Sequence, residues 1–403
     1  MRQLFHRFSA AMNIHIVLLI GLTIGLSTAS QSCGPKFSSK CTCGKMEYDN
    51  KPQFVVNCTN TGFTNTSYLE YMPPNTEVLI FTGNFIPELP WNVFGSINNY
   101  SNLNVVDMSN NRIQNIRGKS YHHVPNVQRL ILNHNNLSIS REDGEFNHHH
   151  ARVFSNFINL KELHLTNAFS ENTSEQLSED LHDIFVNSNL SKITKLHLEQ
   201  NEIVKFKDRN VFCDLPSLKD LHLGDNYLRE INFNLLCLKH LRFLDLERNK
   251  FKYVKIKDMS LMNTLQNSLG RTTNLTVDFT YNTFVCDCNL SAFADWIRGT
   301  NVTVRRKENL VCEHSDRTAE LVLLLTIKKC KINSLNVHST PLHQAALIFF
   351  TSMFIVLLVL IVGSLIYKNR DRIKRIVNPV LDTVSKKVQY TTIKDEECQE
   401  IHV

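Results

Sequence analysis

The chain has 403 residues, enough for two or three ordinary domains, and a formal net charge of +6. Arg2 and Arg7 contribute +2 of that, and the last 36 residues, with eight Lys or Arg against six acids, another +2. About +2 is left for everything between, which gives no support for nucleic-acid binding.

Residues 1–29 have the anatomy of a signal peptide: a positive start, an apolar run from Ile14 to Ile24, and small residues Ser27, Thr28 and Ala29 before a cut. Secretion permits disulfides. Cys33, Cys41, Cys43 and Cys58 cluster in a segment, 30–75, that reads as an N-terminal cap, and four cysteines allow three pairings.

A repeat of the form L-x-x-L-x-L-x-x-N-x-L then governs residues 76–284. It is clearest at Leu103, Val106, Met108, Asn111 and Ile113, and at Leu218, Leu221, Leu223, Asn226 and Leu228. Eight units begin at 76, 103, 127, 160, 193, 218, 241 and 274. Alternate residues such as Leu221 and Leu223 point inward from a short strand while His222 faces out, and the Asn turns the chain off the strand. No unit can bury its own apolar face, so stability comes from stacking and both ends need covers. The predicted architecture is α/β: a leucine-rich-repeat solenoid, or horseshoe, with disulfide caps and one transmembrane helix.

Three spacings of 33 residues mark insertions, after the units at 127, 160 and 241. The first holds Arg141–Asn147 and His148–His150, read as a solvated loop because no second ligand cluster is identifiable; the second holds the acidic stretch Glu171–Asp183. Insertions of this kind are expected to project from the surface. The unit at 160 carries Ala168 where Asn belongs, which predicts a disturbed spine there. On the concave sheet, Asp107, Ile131, His164, His197, His222, Asp245 and Asp278 are predicted to form one solvent-facing column, the candidate binding face. Three histidines in that column would weaken binding as they charge together between about pH 7 and 5.5.

Cys213 and Cys237 belong to no cap, and their separation of 24 residues is close to one repeat. They are read either as a bond between neighbouring turns or as buried free thiols, since their places in the repeat differ by one position. Residues 285–331 form the C-terminal cap, with Cys286, Cys288, Cys312 and Cys330, and with Leu290, Phe293, Trp296 and Ile297 on one helical face. A zinc site is the alternative use of such cysteines, disfavoured in an oxidising compartment.

Residues 332–344 are a stalk, and the uncharged run 345–367, 23 residues or about 34 Å of helix, reads as a membrane span. Lys368, Arg370, Arg372, Lys374 and Arg375 follow it, so the tail 368–403 is placed in the cytoplasm and the chain is read as type I at the plasma membrane. Nine glycosylation signals agree, at Asn57, Asn65, Asn99, Asn136, Asn172, Asn189, Asn274, Asn289 and Asn301, none after the span. In the tail, Tyr390 and Ile393 match a clathrin-adaptor signal, Ile401 and Val403 a PDZ-domain ligand, and Cys398 is expected to be a free thiol.

The cysteine clusters resemble the flanking modules of extracellular leucine-rich-repeat proteins. That resemblance implies Cys33 with Cys43, Cys41 with Cys58, Cys286 with Cys312, and Cys288 with Cys330. The whole arrangement is similar to the trophoblast glycoprotein family: a signal peptide, caps, the run Leu130-Ile131-Leu132-Asn133-His134 before a polar insertion and resumption at Leu160, the Cys286-Asp-Cys288 cap ending in Trp296, and the basic run Tyr367–Arg375. The resemblance implies a protein ligand or co-receptor outside the cell and dampening of Wnt/β-catenin signalling. An adhesion or axon-guidance receptor is the other reading. No catalytic motif is present in the sequence, and neither a cofactor nor a metal site is expected.

Overall fold

The structure is a computed structural model that describes residues 33–37, 39–96, 99–139, 153–170, 174–325 and 341–370. It divides into two units, 1–328 and 329–403.

The first unit is built on an eleven-stranded sheet. Its strands in chain order are β1 (Thr42–Tyr48), β2 (Lys51–Asn57), β3 (Val78–Ile80), β4 (Val105–Asp107), β5 (Arg129–Ile131), β6 (Glu162–His164), β7 (Lys195–His197), β8 (Asp220–His222), β9 (Phe243–Asp245), β10 (Thr276–Asp278) and β11 (Thr303–Arg305). The hairpin of β1 and β2 is antiparallel and every later pair is parallel. Strands β3 to β10 each start two residues after a unit start, so each repeat contributes one strand. β11, inside the C-terminal cap, extends the sheet beyond the last repeat.

Strands of three residues cannot stand alone, and the register shows what holds them. Leu79, Val106, Leu130, Leu163, Leu196, Leu221, Leu244, Val277 and Val304 lie opposite one another from β3 to β11. All are buried, and each contributes about 1.5–3 kcal/mol by leaving water.

A second ladder is polar. The Asn226 amide donates to the carbonyls of Leu198 and Leu223 at 2.9 and 3.0 Å, and its Oδ1 accepts from the amides of Asn201 and Ile203. Asn111, Asn135, Asn201, Asn249 and Asn282 repeat the arrangement, donating to backbone carbonyls of their own and the preceding unit. One side chain thus satisfies backbone groups that the tight turn would otherwise bury unpaired.

At Ala168 the spine changes form rather than breaking. Ala168 is fully buried, its carbonyl accepts directly from the Leu137 amide at 2.8 Å, and Leu137 and Phe169 form a short parallel bridge. The same backbone bond joins the Ile86 amide to the Asn111 carbonyl at 2.8 Å, so what the unit at 160 lacks is only the side-chain bonds of an asparagine.

Two of the insertions also differ from the surface loops expected of them. Helix α1 (Ser174–Phe185) occupies the acidic stretch and buries Leu177, Leu181, Ile184 and Phe185, so its apolar face is part of the core. Helix α2 (Ile256–Gln266) buries Met259, Met262 and Leu265. Their acidic and polar residues dominate composition, yet the apolar ones recur at helical spacing and decide the outcome. The insertion at 140–152, with His148–His150, lies outside the described residues.

Disulfides join Cys33 to Cys43, Cys41 to Cys58 and Cys286 to Cys312. Cys288 is disulfide-bonded, and its expected partner Cys330 lies outside the described residues. Cys213 and Cys237 are also bonded, with Cα atoms 5.2 Å apart, so the one-position offset between their repeats stays within disulfide reach. Helix α3 (Cys288–Gly299) starts at Asp287, whose carboxylate accepts from the Asn289 amide, and buries Leu290, Phe293, Ala294 and Ile297. Trp296 donates its indole N–H to Asn263 Oδ1 at 3.0 Å, tying α3 to α2.

In the second unit, helix α4 (Pro341–Lys368) runs 28 residues. Side chains are described without interruption from Phe350 to Leu365, all exposed, and within the described residues no helix is long and apolar enough to cross a membrane. The signal peptide, Asn172, Cys398, and the tail residues Tyr390, Ile393, Ile401 and Val403 lie outside the described residues.

Candidate functional site: the concave face

Because each strand alternates inward and outward residues, the middle position between two buried ones must face the concave side. The register aligns Asp107, Ile131, His164, His197, His222, Asp245 and Asp278 opposite one another across β4 to β10, with Arg305 following in β11. Strand spacing does the rest: the rings of His164 and His197 stack with centroids 4.2 Å apart, and those of His197 and His222 at 4.1 Å.

Not every member of the column is open. Asp278 is 1% exposed and pairs with Arg306 Nη2 at 2.7 Å, where an unhindered surface carboxylate was expected. The cause is Arg306 itself, which takes a left-handed backbone (φ 49°) just after β11 and reaches back to Asp278 and Glu247. Asp107 is occupied locally, accepting from the Ser109 amide and hydroxyl at 3.0 and 2.6 Å.

A parallel column, two residues farther along each strand, was not singled out from the sequence. From β6 to β10 it consists of Thr166, Glu199, Gly224, Glu247 and Thr280. The signal was available, since period-two alternation places these residues on the same face as the histidines. His197 Nδ1–H donates to Glu199 Oε1 at 2.8 Å, and the Thr166 hydroxyl donates to Glu199 Oε2 at 2.9 Å. Burial works to raise the Glu199 carboxyl, but its bond to His197, the charge there and the Thr166 bond hold it below the ordinary range. Burial pushes the His164 imidazole down, opposed by Glu162, whose Oε2 stands 3.5 Å from Nε2.

The two ends of the face differ in charge pairing. Toward the N-terminal cap, Arg129 joins Glu162 at 2.7 Å and Asp49 at the tip of the β1–β2 hairpin, anchoring that cap to β5 and β6. Proximity to His164 and Arg129 brings Glu162 down to about 2. Toward the other end, Arg242 grips Asp220 through two bonds of 2.7 and 2.8 Å. Lys195, His222, Phe243 and Arg305 line an adjoining cavity of about 570 Å³, and the glycosylation signal Asn274 is part of the same lining. This mixed surface of imidazoles, guanidiniums, carboxylates and one aromatic ring suits a protein partner better than a small apolar ligand.

The glycosylation signals at Asn65, Asn99, Asn189, Asn274, Asn289 and Asn301 are exposed, while Asn57 and Asn136 are half-buried. Asn57 Oδ1 accepts from the amide and hydroxyl of Thr59.

Comparison with known proteins agrees with this architecture. The leucine rich repeat family matches residues 188–251. Trophoblast glycoprotein of Macaca fascicularis is 25% identical over 336 residues, covering 81% of this chain and 76% of its own. Human Toll-like receptor 5 is 29% identical over 231 residues, or 55% of this chain, but the match spans only 24% of that receptor. The crystal structure of human trophoblast glycoprotein, also called Wnt-activated inhibitory factor 1, superimposes with a TM-score of 0.57 at 25% identity, covering 70% of this chain and 96% of that one.

Proposed function

We propose that this chain, a leucine-rich-repeat homologue of trophoblast glycoprotein, is a single-pass type I glycoprotein of the plasma membrane that binds an extracellular protein through its concave face and dampens Wnt/β-catenin signalling. Toll-like receptor 5 is by name a receptor, which supports a binding protein rather than an enzyme.

The observation that carries the reading is the in-register polar column on the concave sheet, flanked by Lys195 and Arg305 with side chains 35% and 53% exposed. Solenoids of this kind use such surfaces because one rigid backbone presents many side chains at fixed spacing. The membrane placement rests on the apolar run 345–367 and the basic residues after it, and the Wnt role on the relative's name and resemblance. Adaptor and PDZ-domain partners at Tyr390, Ile393, Ile401 and Val403 belong to the same proposal.

Expression of the full chain in Wnt-treated reporter cells should lower reporter output, and Lys195→Glu with Arg305→Glu should restore it. Unchanged reporter output, together with clustering of beads coated with residues 30–340, would replace signalling control by adhesion.

A further inference from the structure

The geometry points to a site for a divalent transition-metal ion of the zinc class on the concave face, held by His197 Nδ1, Glu199 Oε1 and His222 Nδ1, with Asp245 Oδ2 as the fourth donor. The first three donor atoms lie within 4.8 Å of one another. Glu199 Oε1 is 2.8 Å from His197 Nδ1 and 3.7 Å from His222 Nδ1, and Asp245 Oδ2 is 3.8 Å from His222 Nδ1. Around a tetrahedral zinc with bonds of about 2.0–2.1 Å, donors stand roughly 3.3 Å apart and each imidazole nitrogen aims at the metal in the plane of its ring, so the rings of His197 and His222, stacked at 4.1 Å and within 9° of parallel, turn out of that stack and Asp245, outside the cluster of the other three, swings in as the ion enters.

Three surroundings favour coordination over a chance meeting of side chains. The second oxygen of Glu199 is held by the Thr166 hydroxyl, which leaves Oε1 to face the imidazoles. Asp245 is held likewise, its Oδ1 accepting from the Glu247 amide at 3.0 Å while Oδ2 is turned to His222. Such outer partners fix ligating carboxylates in metal sites. The third is Gly224, the one place in its column without a side chain: a Cβ there would come within 3.0 Å of Asp245 Oδ2. Two imidazoles with one or two carboxylates select zinc, copper or nickel over calcium or magnesium, which prefer all-oxygen shells. Each imidazole binds through a bare Nδ1, so the proton that His197 now gives to Glu199 moves to Nε2 or to solvent as the metal enters.

Two other clusters are weaker. In the group of Cys286, His314 and Glu320 the sulfur is committed to the bond with Cys312, and in the group of Asp245, Glu247 and Asp278 Arg306 already occupies Glu247 and Asp278. The metal site does not depend on the concave face being the docking surface.

The test is calorimetric titration of zinc chloride into the full chain in detergent, stripped with a chelator, at neutral pH. Because His148–His150 can also take zinc, the reference is a variant with those three histidines changed to Gln. In that background one equivalent of zinc should bind, His222→Gln and Glu199→Gln should each weaken it at least tenfold, and Thr166→Ala should weaken it by about tenfold. Calcium should not bind. Cobalt(II) in place of zinc should give the visible bands of a tetrahedral site, lost in His222→Gln while far-ultraviolet circular dichroism is unchanged. No zinc bound in the reference variant, or equal affinity in a folded His222→Gln chain, overturns the assignment.

Discussion

The units at 218 and 160 meet the same demand by different means. Around Asn226 one buried amide serves five backbone groups on two turns, whereas around Ala168 the Leu137 amide bonds the Ala168 carbonyl and Leu137 pairs with Phe169 in a short bridge. What is fixed is that every buried backbone group finds a partner; the side chain that supplies it is negotiable. The comparison also locates the irregularity. The unit at 160 follows the first insertion and precedes α1, and the Ala168 amide is itself met by Asn201 Oδ1 of the next unit at 2.8 Å.

The largest effect should come from the stack that both units share. Leu221→Ala removes a fully buried side chain between Leu196 and Leu244, and should cost about 2–5 kcal/mol, read as a lower midpoint in urea. Cys213→Ser with Cys237→Ser opens a bridge closing a 24-residue separation and should cost about 3 kcal/mol, visible as a lower Tm. Asn226→Ala takes the side-chain partner from the Leu198 carbonyl and from the Asn201 and Ile203 amides, while the Leu223 carbonyl keeps Asn249, at roughly 1–3 kcal/mol for each group that water cannot reach, with backbone relaxation offsetting part of that sum. The sharpest contrast is Ala168→Asn. Repeat consensus alone makes it stabilising, but a larger side chain at a fully buried position would push apart Leu137 and Phe169, so we expect a loss of about 1–3 kcal/mol. A rise in Tm in that variant would show the bridge to be a mere default.

The smallest effect is acidic. The His164 and Arg129 groups beside Glu162 hold it down to about 2 when folded, against the ordinary 4.5 of the unfolded chain, so its stabilisation is complete above about 4.5 and is lost as pH falls through 2. Glu162→Gln should therefore narrow the stability gap between pH 5 and pH 2 in chemical denaturation.

Much of this fold was legible because the repeat is written twice, once in leucines and once in asparagines. The positions of the eight repeat strands and the histidine column follow from counting, since register in a parallel stack is set by equal spacing within each unit. What counting missed involves residues whose role depends on a neighbour in space. Asp278 has the same place in its repeat as Asp245, yet it is buried because Arg306, 28 residues later, turns left-handed and reaches it. Glu199 occupies a position where other units carry Ser109, Asn133, Thr166, Gly224, Glu247 or Thr280, so no repeat pattern marks it. Helices α1 and α2 were hidden by acidic and polar residues between their buried ones.

The proposed function requires the concave face to be the surface that meets a partner. The most direct measurement is proximity labelling on living cells, with the labelling enzyme fused after residue 29, comparing three forms of the chain: wild type, Lys195→Glu with Arg305→Glu on the concave sheet, and Lys257→Glu on α2. The account predicts that the concave pair loses surface proteins labelled by wild type, while the α2 variant keeps them. Equal labelling by the concave pair at equal surface expression would place the partner elsewhere and contradict it.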